Sequence, residues 1–284
     1  IPLVTNKFSS KDPMRNSLKG LFYKLMWSGV VNADLVLTNS NFSKNDIESY
    51  GGVDSEKIEV IYLGVSTYFL RNEYKITKEE NDEMLDLFGV KGKKYFLYDA
   101  GLEANKGSSA LLNVFKKICI NKSEKIPKKL IITGRDFYKG EGNDIQPRTA
   151  LGRKFLAEAK SLDLLDNLIT TDVITDHQLA TILMNASAYL NFSQYEGFSF
   201  GPVQAMAAEV PAIASNTSCT PEITDGGALL VDTSDIDRAT KQIINLLEND
   251  ELVQNLINKG KEVAKRYNWD KTVDETWKFI RKVA

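Results

Sequence analysis

A chain of 284 residues suits one large domain or two ordinary ones, and its composition, 43% apolar and 26% charged, is that of an ordinary folded protein. Lys and Arg (36) nearly cancel Asp and Glu (38), and the net charge of −2 gives no electrostatic footprint for nucleic acid. The two cysteines lie outside any metal-ligand spacing, which excludes a disulfide framework and reads as free thiols of a reducing, cytoplasmic compartment.

In chain order, the first patterned segment is Arg15 to Val31, helix-like, with Lys19, Phe22, Lys24 and Trp27. It reads either as a core-packed helix or as one resting peripherally on a membrane surface. Strands are expected at Ala33–Thr38 and Lys57–Tyr62, and then the rhythm breaks through the charged stretch between about Ser66 and Lys93. A domain boundary is placed near Gly64–Tyr68. A single strand–helix–strand segment before it is too little for an independent parallel sheet, so residues 1–66 are read as the remnant of a truncated domain. Beyond the break, short apolar runs alternate with helical spacing. Strands are expected at Lys94–Asp99, Lys129–Thr133, Asn167–Thr171, Ala188–Phe192, Pro211–Ser215 and Ala228–Val231. This β-α-β-α order predicts a doubly wound α/β domain over 67–265, its strands apolar on both faces because helices cover both. After Asp232 helices run to the end, with Trp269, Val273, Trp277 and Ile280 forming one apolar stripe.

The most informative stretch is Ser193 to Ala207, Ser-Gln-Tyr-Glu-Gly-Phe-Ser-Phe-Gly-Pro-Val-Gln-Ala-Met-Ala. It leaves a strand and enters a helix, so it forms a loop at the carboxyl edge of a parallel sheet, where such folds bind ligands. Gly197 and Gly201 let backbone approach a ligand, and Pro202 suits a first helical turn. Free N–H groups at that helix start favour a phosphate. The plain alternative is a strand–turn–helix with Glu196 as a solvated carboxylate.

This stretch is similar to the signature of glycosyl transferase group 1, the retaining GT-B family, which reads Glu-Gly-Phe-Gly-x-Pro-x-x-Glu-Ala-Met-Ala. The surroundings agree in order. Asn32 to Lys44 resembles the last strand of that family's first domain, and Lys57 to Val65 the crossing into its second. Gly101 to Gly107 resembles its first donor-domain loop. Pro221 to Asp232 and Tyr267-Asn268-Trp269 resemble its tail. The resemblance implies a GT-B architecture: a Rossmann-like donor domain, a remnant of a second Rossmann-like domain, and a last helix, 266–284, crossing back to the first. It implies a metal-independent, retaining transfer of a sugar from a UDP-, GDP- or ADP-linked donor to an acceptor glycan or lipid, with no cofactor. By the same resemblance Lys106 and Glu196 are the catalytic residues. Lys106, with Thr133, Gly134 and Arg135, meets the donor diphosphate. Glu196 and the backbone of Gly197, Phe198, Ser199 and Phe200 hold the sugar, Val173 and Ile174 lie by the base, and Gln204 is at the ribose.

Three positions depart from the family. Gln204 stands where the second signature Glu is usual, Gly101 where Arg is frequent, with Arg135 as its substitute, and Val4-Thr5-Asn6-Lys7-Phe8 where many members show His-Asp. These departures motivate a second reading, a non-catalytic subunit that binds a sugar nucleotide or a partner protein. A sugar-nucleotide epimerase of similar architecture is a third. His177, the sole histidine, is placed at a surface helix start, which excludes Ser-His-Asp and Cys-His chemistry within the chain. Asp235-Ile236-Asp237 has the form of a metal-binding Asp-x-Asp but precedes a helix, where Asp is an ordinary cap.

Overall fold

In the computed structural model, residues 25–282 are described. The segments Val4–Phe8 and Arg15 to residue 24, read above, lie outside them. The chain divides into two compact units, Ile1–Gly64 with Tyr267–Ala284, and Val65–Arg266.

The described part of the first unit holds a helical segment over residues 25–31, one parallel β-α-β crossover and the last helix of the chain. Strand β1 (Val36–Thr38) leads to helix α1 (Asn41–Gly51) and returns as β2 (Ile58–Val60), with Val36 opposite Ile58 and Thr38 opposite Val60. Ser40 caps α1 by accepting the Ser43 N–H at 3.1 Å. Val36, Ile47, Val53 and Ile58 make its small core, with Trp27, Val30 and Ala33 packed against them.

In the second unit the strands, in chain order, are β3 (Tyr95–Tyr98), β4 (Lys129–Ile132), β5 (Gly140–Glu141), β6 (Leu168–Thr170), β7 (Ala188–Asn191), β8 (Ala212–Ser215) and β9 (Leu229–Val231). The helices are α2 (Lys78–Leu87), α3 (Ser108–Ile120), α4 (Ala150–Ser161), α5 (Asp176–Met184), α6 (Phe200–Ala207), α7 (Thr220–Thr224), α8 (Ile236–Glu248) and α9 (Asp250–Ala264). The seven strands lie in the order β5-β6-β4-β3-β7-β8-β9. All neighbours are parallel except the two-residue edge strand β5, which runs antiparallel to β6 and which the sequence pattern missed. Along β3 the faces alternate as a strand requires. Phe96 and Tyr98 join a core with Leu111 and Phe115 of α3, Phe155 of α4 and Ile243 of α8, whereas Tyr95 turns the other way and donates to the Ile182 carbonyl of α5 at 2.7 Å. Helices therefore cover both faces. Burying each Leu, Ile or Phe here is worth about 1.5–3 kcal/mol, so this two-sided core carries the sheet.

The last helix, α10 (Trp269–Ile280), belongs with the first unit. It is pinned where Thr272 Oγ1 donates to the Tyr62 carbonyl at 2.8 Å, where Trp269 lies against Gly64, and through the buried Phe279. The stripe Trp269, Val273, Trp277, Ile280 is not its buried face: each is at least 41% exposed. The packed positions 272 and 279 lie about 100° around the helix from that stripe, and a helix with apolar groups on both sides cannot reveal from spacing which one faces inward. Among the described residues no helix is long and apolar enough to cross a membrane.

Candidate functional site

The sheet order fixes where a ligand can enter. The chain starts this sheet at β3, adds β4 and β6 on one side, then returns to place β7 on the other. The loops after β3 and β7 consequently leave in opposite directions and open a crevice at the carboxyl ends of those strands, the topological switch point of a doubly wound sheet. Lys106 lies on the first of these loops and Glu196 on the second.

The two side chains meet in the crevice. Lys106 Nζ stands 2.6 Å from Glu196 Oε1, with 21% and 18% of the respective side chains exposed. Partial burial makes this pair stronger than a surface ion pair. The loops are stitched together as well: Gln194 N–H donates to the Asn105 carbonyl at 2.6 Å, and Asn105 Nδ2 to the Tyr195 carbonyl at 3.0 Å. Gly107 makes that approach possible. It adopts φ +68° at the start of α3, and a β-carbon there would overlap the Phe192 carbonyl oxygen.

A layer of buried hydroxyls and one carboxyl underlies the loops. The Tyr98 hydroxyl lies 2.7 Å from the Gly101 carbonyl and 3.1 Å from that of Lys106, holding the loop at both ends. Burial keeps this phenol far above its ordinary pKa. The Tyr189 hydroxyl donates to Asp99 Oδ1, and burial raises the Asp99 carboxyl above the usual carboxylate range. The same Tyr189 hydroxyl fills the space a side chain would need at Gly201, so only glycine lets the first turn of α6 settle on β7.

Helix α6 begins without a side-chain cap. Ser199, in the capping position, turns its Oγ to Thr220 Oγ1 at 2.8 Å and Cys219 Sγ at 3.6 Å instead. No side chain therefore blocks the positive end of the helix, whose dipole favours an anion, although the Phe200 N–H already donates to the Phe198 carbonyl at 3.0 Å. Phe198 is buried and meets the more exposed Phe200 edge-on, with ring centroids 5.0 Å apart. Gly197 lies between Glu196 and Phe198, half-buried, and Gln204 is half-buried one turn into α6.

The other expected residues sit further out. Thr133 is buried at the end of β4, its N–H on the Tyr98 carbonyl at 3.1 Å, and Gly134 follows with φ +121°. Arg135 is largely exposed and pairs with Glu103 Oε1 at 3.1 Å. The Glu103 carboxylate occupies the space beside Gly101, so Arg135 reaches the very loop in which arginine is missing. Val173 and Ile174 lie after β6, two strands from β3, the first exposed and the second half-buried. Asp172 accepts the Val173 N–H at 2.6 Å, and Arg148, stacked 4.2 Å over the Tyr138 ring, donates to Asp172 at 2.7 Å, which lowers the Asp172 pKa.

His177 falls on α5, behind a Thr175–Gln178 capping box, with its ring against Tyr74 and Tyr68. Asp235 is the cap of α8, accepting the Arg238 N–H at 3.0 Å, and Asp237 pairs with Lys117 at 2.9 Å. Among the described residues no three His, Cys, Asp or Glu groups converge as a metal cage.

The sequence reading passed over Asn105, the Tyr98 and Tyr189 hydroxyls, and the run Ser215 to Thr220 beneath the Glu196 loop. A hint was available in that run, which has four hydroxyl side chains in six positions from the last residue of a strand onward.

Comparison with known proteins shows the family and the fold. The model of the family described as glycosyl transferases group 1 matches residues 80–263. The chain is 23% identical over 270 residues to the O-antigen chain mannosyltransferase B of Escherichia coli, covering 95% of the chain and 65% of that protein. It is 26% identical over 245 residues to an MMP alpha-(1->4)-mannosyltransferase of Mycolicibacterium hassiacum, covering 85% and 52%. Its fold matches that of Anabaena HepE in complex with UDP and glucose at a TM-score of 0.74 and 16% identity, over 90% of this chain and 67% of that one. The chain therefore spans less than two thirds of these two curated relatives.

Proposed function

Because the chain belongs to the glycosyl transferases group 1 family, we propose that the protein moves a hexosyl group from a nucleotide sugar to an acceptor hydroxyl, with retention at the anomeric carbon. The observation that carries this reading is the half-buried Lys106–Glu196 pair at the switch point, beside the uncapped start of α6. In the proposed reaction the donor diphosphate takes the place of Glu196 at Lys106, and the carboxylate turns to the sugar hydroxyls. The bond from the anomeric carbon to the phosphate oxygen breaks while the acceptor oxygen bonds to the same face of that carbon. The acceptor proton passes to the departing phosphate. Lys106 and the α6 amino end stabilise the charge growing on that phosphate, where fixed donors in a dry site are most effective. Residues Thr133 to Arg135 add donors to the diphosphate, Val173 and Ile174 border the base, and Gln204 meets the ribose. The scheme draws its positive charge from Lys106 and calls on no metal.

The names of the two curated relatives, an O-antigen chain mannosyltransferase and an alpha-(1->4)-mannosyltransferase, favour a mannosyl donor and a glycan acceptor; the base is one of uracil, guanine or adenine. Two free thiols, Cys119 and Cys219, suit a reducing, cytoplasmic setting. Gln204 supports a second reading, a sugar-nucleotide-binding subunit without transfer. Exchanging a carboxylate for an amide removes charge assistance worth about 1 kcal/mol from a ribose hydrogen bond.

Calorimetric titration with UDP, GDP, ADP and their sugar conjugates, repeated on Lys106→Ala, tests the donor site. One nucleotide should bind selectively and lose about tenfold or more in the variant, roughly 1.4 kcal/mol. A folded chain that binds none of them overturns the reading. Binding without transfer or hydrolysis by the complete protein favours the subunit.

A further inference from the structure

The hydroxyl run that begins on the last residue of β8 holds the Glu196 loop from below. Ser215 Oγ and Thr217 Oγ1 both donate to the Ser193 carbonyl, the second at 2.9 Å. Ser218 Oγ accepts the Glu196 N–H at 3.1 Å, and Thr220 Oγ1 shares a hydrogen bond with Ser199 Oγ at 2.8 Å. The four straps thus grip the loop before, at and after Glu196. Ser218 differs from the other three in its backbone. Its φ is +51°, in the left-handed region where a β-carbon is crowded and glycine sits freely. The one strap on the Glu196 amide is therefore made by a residue held in a strained conformation, a combination that points to the site rather than to folding economy.

We propose that Ser218 is a positioning residue for the donor sugar. By fixing the Glu196 amide, its hydroxyl sets where the carboxylate points, and so sets the preference for a sugar conjugate over the bare nucleoside diphosphate. The bare diphosphate needs Lys106 and the α6 amino end, not Glu196. This role rests on the donor-site reading above.

Ser218→Ala and Ser218→Gly in the full chain separate hydroxyl from strain, since both remove the strap but only glycine relaxes φ. Each variant is titrated with UDP, GDP and ADP and with their glucose and mannose conjugates, and amide hydrogen exchange is followed over residues 194–199. Both variants should lose about tenfold of the preference for the conjugate, the worth of one hydrogen bond, while the bare nucleotide binds within about twofold of wild type. Both should also exchange faster at Glu196, whatever their relative stability. Wild-type preference in Ser218→Gly, or unchanged exchange in both, overturns the proposal. If the wild-type chain binds no nucleotide, the donor reading fails and this role with it, and exchange at Glu196 alone then reports whether the strap exists.

Discussion

Lys106 and Glu196, 90 positions apart in the chain, are held by hydrogen bonds from three loops and by glycines that admit no side chain. Val173 and Ile174 are held by their immediate surroundings: a carboxylate one residue back, an Arg148–Asp172 ion pair at the surface, and the capping box of the helix they precede. The first region is half-buried and joins residues 90 positions apart; the second is largely exposed and, apart from the Arg148–Asp172 pair, held by its own neighbours in the chain. In the proposed enzyme this division has a chemical sense. Groups that face developing charge must be fixed in advance, because reorganising them would consume the stabilisation they offer. A border against a base needs only shape, and an exposed local turn tolerates exchange of its side chains.

The largest expected effect comes from forcing the two loops of the first region apart. Gly107→Ala puts a β-carbon onto the Phe192 carbonyl at a left-handed φ, and neither backbone can yield cheaply. Unfolding in urea should show a loss of about 3 kcal/mol or more, at the upper end of single substitutions. A loss below about 1 kcal/mol would mean that the loops are not pressed together as described.

Next in size is Glu196→Gln, which frees Lys106 from its intramolecular partner. Bare nucleoside diphosphate should then bind about three- to tenfold more tightly, because it no longer competes with a carboxylate, while the sugar conjugate loses its advantage. Titration of both ligands checks this. Weaker binding of both would place Glu196 in direct support of the phosphates and undo the proposed exchange of partners.

The smallest effect belongs to the exposed region. Thr175→Ala removes the side chain that accepts the Gln178 N–H at 3.2 Å and should cost about 1 kcal/mol of stability, the usual value of a helix cap, read by thermal or urea unfolding. Binding of the bare nucleotide should stay within about twofold of wild type, since the loss is confined to the start of α5. A tenfold loss would show that this end of the site is as tightly coupled as the other.

The legibility of the sequence follows the same division. Eight strands were readable, to within three residues at each end, because each is a short β-rich run: β3, β6, β7 and β8 are buried on both faces, whereas β1 and β2 alternate and expose Leu37 and Glu59. Strand β5 was not: two residues carry no period, and Gly140–Glu141 is a strand only because Thr170 and Ile169 of β6 lie opposite. Lys106 and Glu196 were each found through loop motifs, yet nothing in their local patterns says that they touch. The hydroxyls under Glu196 were passed over for a related reason: Ser and Thr after a strand are ordinary turn residues until a partner across the sheet is known.

The order of the eight longer strands, the loop entering α6, the start of α5 and the cap of α8 were determined by the sequence alone, because burial, turn chemistry and helix starts act over a few neighbouring residues. The tertiary structure alone decided that β3 and β7 lie side by side, which side of α10 is buried, and that Ser218 reaches the amide of Glu196. Those outcomes depend on which distant surfaces pack together, and side-chain periodicity records that a face is buried but not what buries it.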